Sequence, residues 1–153
     1  MKPKKEIIVI CHNIRSAHNV GSIFRTTDAA GVSKIILGGY SAHPPHPKLL
    51  KTALGAQNSV PYERQWQTWR AIDDLKKQKF KIAALEKTKN AKSVFEFKPE
   101  FPLALVLGNE VRGLSGEILR RCDQVLSIPM RGTKESLNVS VAFGVAIYQL
   151  LNN

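Results

Sequence analysis

Val125-Leu126-Ser127-Ile128-Pro129-Met130-Arg131-Gly132-Thr133-Lys134-Glu135-Ser136-Leu137-Asn138-Val139-Ser140-Val141-Ala142-Phe143-Gly144 reads as a buried strand, a loop and the mouth of a helix. Pro129 has no N–H for a sheet ladder, so the strand Val125 to Ile128 stops there and a loop begins. The helix that follows is apolar nearly all round, with Val139, Val141, Ala142, Phe143, Val145, Ala146, Ile147, Leu150 and Leu151. Ser136 and Asn138 carry side-chain oxygens at its entrance. They fit helix capping, and they also fit a site at the mouth of a buried helix. Ser140, one step further in, is read as facing the helix packing.

Outward from this stretch the pattern repeats. Continuous apolar runs at Ile7 to Ile10, Lys34 to Leu37, Val60 to Tyr62, Lys81 to Leu85 and Leu103 to Leu107 suit strands covered on both faces, as in a parallel sheet. Between them lie helical patterns at Val20 to Ala30 closed by Gly31, Lys48 to Leu54 closed by Gly55, Trp66 to Lys77 and Ser115 to Arg121. Trp66 and Trp69 are read as packing residues. Alternation of strand and helix predicts an α/β fold with a mostly parallel sheet and helices on both faces. The stretch from Gly38 to Pro47 reads as one long surface loop.

The 153 residues suit one domain, and their formal net charge of +11 makes a polyanion the first partner to consider. Arg112, Arg120, Arg121, Arg131 and Lys134 fall in or beside the loops after the last two strands, where α/β folds usually place ligands. Lys76, Lys77, Lys79 and Lys81 cluster at a helix end, where the helix dipole already favours cations. Two cysteines make no disulfide framework, and no apolar run approaches the ~18 residues of a membrane span. The basic start Met1 to Lys5 leads into a short strand and not a signal-peptide core, so a cytoplasmic protein is expected. Cys11-His12, His18 and His43-x-x-His46 match no closed zinc set, so no metal is expected.

Two further junctions hold polar residues. In Asn13 to Gly31, Asn19 is placed to cap a helix and Gly21 to allow close approach in its first turn. Val20, Ile23, Phe24, Thr27 and Ala30 sketch the buried face. Arg25 flanks that face, so it is expected to be partly buried with an anionic partner, Asp28 or a more distant carboxylate. In Leu105 to Ser115, Gly108 follows a strand directly, where a flat ligand can lie on the main chain, and Glu110 faces the same edge. The spacing is neither a phosphate-binding loop nor a dinucleotide fingerprint.

Taken together, "NVGSIFRT" from Asn19, "LVLGNEVRGLS" from Leu105 and "IPMRGTKESLNVSVA" from Ile128 resemble the three motifs of the SpoU, or TrmH-like, RNA ribose methyltransferases of the SPOUT superfamily. The resemblance runs in order from Asn13 to Leu150. It implies an α/β homodimer whose C-terminal part forms a deep trefoil knot, a feature that general connection rules argue against. It implies S-adenosylmethionine as cofactor, held largely by backbone at Leu85, Glu86, Leu107, Gly108, Asn109, Ile128, Met130, Ser136 and Leu137. It implies methyl transfer to a ribose 2′-hydroxyl of RNA, with Arg25, Asn19, Glu110, Ser136 and Asn138 as the catalytic set and Arg15, Arg25, Arg112, Arg131 and Lys134 on the RNA. Gly144 and the apolar final helix then fit a two-fold interface. Residues 1–153 are expected to form a single catalytic domain with no accessory RNA-binding domain, and tRNA is favoured over ribosomal RNA. A catalytically silent RNA-binding module of the same fold and an unrelated nucleotide-binding α/β protein are the other readings.

Overall fold

A computed structural model describes residues 4–153; Met1, Lys2 and Pro3 of the basic start lie outside the described residues. Seven strands form one wholly parallel sheet: β1 Ile7–His12, β2 Lys34–Gly38, β3 Tyr62–Gln65, β4 Lys81–Leu85, β5 Lys92–Ser93, β6 Leu103–Leu107 and β7 Gln124–Ser127. Their order across the sheet is β3-β2-β1-β6-β4-β7-β5. Side chains alternate between faces along each strand. Val9, Cys11, Leu105 and Leu107 therefore enter one core, while Ile8, Ile10, Ala104 and Val106 enter another.

The first core is roofed by α1 Ala17–Ala30, α2 Pro47–Ala53, α3 Ala56–Ser59 and α6 Val139–Asn152, which contribute among others Phe24, Leu49, Ala56 and Phe143. The second is covered by α4 Thr68–Lys77 and α5 Gly116–Arg121, through Ile72, Leu75 and Ile118. Helices thus lie on both faces of the sheet, as expected from strands apolar on both sides. Gly21 sits where α1 crosses α2: a Cβ there would collide with the Thr52 hydroxyl and the Leu49 carbonyl.

Several elements differ from the sequence reading. Val60 is not a strand residue; it is buried and closes the single turn α3, and β3 starts two residues later with Tyr62, Glu63 and Arg64 all exposed. An edge strand with one covered face has no need of an apolar run. β5 is two residues long and polar, so no pattern marked it. α2 opens at Pro47, capped by His46, and shortens the long loop by one residue. The helix α4 begins at Thr68, and Trp66 lies outside it in a bend, 71% exposed, so it is not a packing residue. Trp69 does pack on the second core, with the Arg70 and Arg121 guanidinium groups 5.3 and 5.2 Å from its ring centre.

α6 buries Phe143, Ala146, Ile147 and Leu150, yet Val141 and Tyr148 remain 52% and 47% exposed. Nothing within the chain approaches the position of a Cβ on Gly144. The outer side of this helix is apolar and uncovered within one copy.

Candidate active site

All strands being parallel, their carboxyl ends share one edge of the sheet, and the loops after β1, β4, β6 and β7 meet there. Asn13 turns the chain out of β1 with φ 56°. α1 then starts at Ser16, whose hydroxyl accepts from Asn19 N–H at 3.2 Å. Ser16, not Asn19, is the cap; the Asn19 side chain is thereby released for another use.

That use is a chain of three side chains. The Glu110 carboxylate accepts from Arg15 N–H at 3.1 Å, Ser16 N–H at 2.9 Å and Asn19 Nδ2 at 3.0 Å. Asn19 Oδ1 in turn accepts from Asn138 Nδ2 at 3.1 Å. Asn138 Oδ1 caps α6, accepting from Ser140 N–H at 2.9 Å and from the Ser140 hydroxyl at 2.6 Å. The Ser140 hydroxyl is thus tied to the cap of its own helix and lines no cavity. Partial burial alone raises the Glu110 pKa, but its hydrogen bonds to Asn19, Ser16, Arg15 and its own backbone outweigh burial and hold it below the ordinary glutamate range. The carboxylate sits at the N-terminus of α1, where the helix dipole also favours it.

Asn109 shapes the loop after β6. Its Oδ1 accepts from Val111 N–H at 2.9 Å and Arg112 N–H at 2.8 Å, while Nδ2 donates to the Asn13 carbonyl at 2.8 Å and to the Tyr40 hydroxyl at 3.3 Å. The loop closes at Gly113, φ 65°, whose N–H donates to the Asn109 carbonyl at 2.9 Å. Glu86, just past β4, accepts from Leu114 N–H at 2.8 Å and Lys87 N–H at 3.0 Å, and its carboxylate occupies the space a Cβ on Gly113 would need. A Cβ on Gly108 would press into Gly113 and Leu114. That glycine is thus required by loop-on-loop packing rather than by open ligand space.

Between these loops lies a cavity of about 480 Å³. Leu85, Glu86, Leu107, Gly108, Asn109, Ile128, Met130, Ser136 and Leu137 all line it, and so do Asn19, Glu110 and Asn138. Sequence reasoning did not single out Val139 and Ala142, which complete its apolar wall at the start of α6. Their place in the first turns after a cap was the available signal. Apolar walls with polar groups at the rim suit a ligand that is flat and apolar at one end and hydrogen-bonding at the other.

Arg25 is not part of this assembly. It is exposed, lines no cavity, and has no carboxylate within 4.0 Å among the described residues; Asp28 instead accepts from the Ser59 hydroxyl at 3.1 Å. The expected partial burial and ion pair are corrected: α1 buries Val20, Ile23, Phe24 and Thr27, and this stripe turns Arg25 outward. Arg131 and Lys134 are exposed on the loop after β7 and line neither cavity. Arg15 and Arg112 line a second, open cavity of about 600 Å³ with Ser16, Tyr40, Asn109, Glu110 and Val111. Tyr40 was missed, although its place two residues past the end of an internal strand marks it.

Two groups beneath the site, the buried Cys11 and the half-buried His12, are chemically quiet. Burial, with a smaller push from the Glu110 charge, raises the Cys11 thiol to about 12, so it is no nucleophile at neutral pH. Burial lowers the His12 pKa; its Nδ1 lies 2.6 Å from the Thr68 hydroxyl and its Nε2 3.3 Å from Asn13 Nδ2. An amide donating to Nε2 leaves the proton on Nδ1, so a neutral His12 donates to Thr68. No helix among the described residues is long and apolar enough to cross a membrane, and they contain no group of three His, Cys, Asp or Glu that would hold a metal.

Residues 6–148 match the model of the SpoU rRNA Methylase family. A Staphylococcus haemolyticus protein named for the TrmH family of tRNA/rRNA methyltransferases is 34% identical over 143 residues, covering 94% of this chain and 57% of its own length. The present chain thus spans little more than half of that relative. Among solved structures, the SpoU methyltransferase AviRb from Streptomyces viridochromogenes, in complex with its cofactor AdoMet, superposes with a TM-score of 0.89 at 27% identity, covering 99% of this chain and 59% of that one. A structure described for 2-OH methylation of C/U34 on tRNA gives 0.84 at 26% identity, covering 97% and 95%.

Proposed function

The chain belongs to the SpoU rRNA methylase family, and on that premise we propose that it transfers a methyl group from S-adenosylmethionine to a ribose 2′-hydroxyl of RNA, with tRNA as the favoured substrate. The observation carrying this reading is the convergence of three sequence-distant loops on one cavity, with Glu110, Asn19 and Asn138 hydrogen-bonded in series along its rim. The cavity fits the cofactor: about 480 Å³ lies within the roughly 300–1,000 Å³ typical of small-molecule sites, and its walls combine apolar side chains with main chain from Leu107 to Asn109. The AdoMet complex of AviRb and the tRNA C/U34 structure lend support from proteins of the same fold.

Bound S-adenosylmethionine supplies an electrophilic methyl on a positively charged sulfur. Leu85, Leu107, Ile128 and Leu137 exclude water around it, and the loop backbone orients it. The 2′-hydroxyl is a poor nucleophile while protonated, so the site must polarise it. Glu110 stays ionised and fixes the Asn19 amide; Asn19 fixes Asn138; these amides and the Ser136 hydroxyl position the ribose. A guanidinium has five N–H donors and no acceptor, which rules Arg25 out as a general base. In this reading it holds the adjacent phosphate and stabilises the developing alkoxide, while the proton passes to water or a phosphate oxygen.

Because Arg25 lies outside the cavity of its own copy, the reading includes a homodimer in which a second copy completes the site. The uncovered apolar side of α6, with Val141 and Tyr148, supports it. A trefoil knot is part of the same proposal; supporting it, β7 lies in the sheet between β4 and β5, two earlier strands joined by residues 86–91. A cytoplasmic location belongs to the same proposal.

The test is incubation with bacterial tRNA and, separately, ribosomal RNA in the presence of labelled S-adenosylmethionine, followed by mapping of the methylated nucleotide. Label on a ribose 2′-oxygen is expected. Absence of label in either RNA, with cofactor binding intact, overturns the enzymatic reading.

A further inference from the structure

The second cavity lies on the far side of the loop that walls the first, and the two share Asn109, Glu110 and Val111. Its chemistry differs. Tyr40, 47% exposed, lines it together with Arg15 and Arg112. Neither arginine has a carboxylate within 4.0 Å or a side-chain hydrogen bond among the described residues. Glu110 also borders this cavity, but its oxygens are occupied by Arg15 N–H, Ser16 N–H and Asn19 Nδ2.

An exposed tyrosine sharing a cavity with two arginines that have no carboxylate partner is the chemistry that recognises one unpaired nucleotide, the ring taking the base and the cations the phosphates. The ring is also held in place: Tyr40 N–H donates to Asn13 Oδ1 at 3.1 Å, and its hydroxyl accepts from Asn109 at 3.3 Å. A second platform adjoins it. Gly39 N–H donates to the Gln65 carbonyl at 3.0 Å, so Trp66, directly after β3, and Tyr40, two residues past the end of β2, leave neighbouring strand ends. Trp66 is 71% exposed, with Arg64 and Arg70 exposed nearby in sequence.

Resting on the RNA methyltransferase reading, we infer that this cavity binds a nucleotide flanking the methylated one, its base stacked on Tyr40 and its phosphates held by Arg15 and Arg112, the strand continuing toward Trp66. The ridge from Asn109 to Val111 then separates the target ribose from its neighbour. Tyr40 is a specificity-determining residue in this arrangement, since it reads an unpaired base while the arginines read only charge.

The experiment measures binding of fluorescein-labelled bacterial tRNA across a series of salt concentrations, with variants compared at equal salt, alongside S-adenosylmethionine affinity. Tyr40→Ala is expected to weaken RNA binding about tenfold, within the usual range for loss of one stacked base, and to leave cofactor affinity unchanged. Tyr40→Phe retains the ring and is expected to restore RNA binding to within about twofold. Arg15→Gln and Arg112→Gln should each reduce the salt slope of binding by about one. A Tyr40→Ala protein that binds RNA within twofold of wild type overturns the inference, and so does a Tyr40→Phe protein as weak as Tyr40→Ala, because the hydroxyl on Asn109 would then be the important contact. Should Tyr40→Ala unfold, the Phe and arginine variants still decide. Wild-type protein that binds no RNA overturns the parent reading as well; wild-type binding with indifferent Tyr40 overturns this inference alone.

Discussion

Asn138 Nδ2 donates to Asn19 Oδ1 at 3.1 Å, joining the first turns of α6 and α1 across 119 positions of sequence. One side chain thus caps a helix through its oxygen and ties the site through its nitrogen. The two roles can be separated. Asn138→Asp keeps the capping oxygen and loses the donor, so the midpoint of thermal unfolding should move little while methyl transfer falls at least about tenfold. Asn138→Ala loses both, adding about 1 kcal/mol of destabilisation. Equal activity for Asn138→Asp and wild type would leave capping as the sole role.

Glu110 predicts a pH dependence of stability. Its folded pKa is lowered, so it contributes stability that is present above the ordinary glutamate value, about 4.3, and is lost as pH falls through the lower folded value. Glu110→Gln should therefore be less stable than wild type near neutrality and show a flatter decline below pH ~4. Thermal melts across that acid range measure the difference, and parallel curves for the two proteins would contradict it.

Gly113→Ala should destabilise by about 1–2 kcal/mol from the left-handed backbone alone, with a further cost because the new methyl displaces the Glu86 carboxylate from Leu114 N–H. Since both loops line the cavity, S-adenosylmethionine affinity should fall with it. Chemical denaturation and calorimetric titration of the cofactor report the two effects separately.

Charge on the outer side of α6 tests the second copy. Val141→Glu and Tyr148→Glu alter exposed positions and leave Phe143, Ala146, Ile147 and Leu150 in place. Sedimentation should show monomers, with methyl transfer reduced at least about tenfold because Arg25 no longer reaches a site. Monomers with undiminished activity would place Arg25 elsewhere in the reaction.

The sheet was legible because five of its strands, being parallel and covered, carry apolar runs; β5 and β3 were not, since a two-residue strand and a polar edge strand bury nothing periodic. At the site, the polar residues Asn19, Glu110, Ser136 and Asn138 stood out against apolar surroundings. Their couplings did not. No local pattern shows that Ser16 takes the cap and frees Asn19, or that Glu86 fills the space above Gly113, because both depend on loops brought together by sheet order. Arg25 was misjudged for a related reason: a residue beside a buried stripe turns inward or outward according to where the neighbouring helices lie.

The place of β7 between β4 and β5 also bears on how the chain leaves the ribosome. Until residues 124–127 are synthesised, β5 has no partner and β4 is a bare edge of a five-strand sheet. An uncovered parallel edge is the part of an unfinished molecule most open to pairing with another chain. Completion of the sheet therefore waits for residues 124–127, and the interval before they arrive is when the growing chain is most open to wrong pairing.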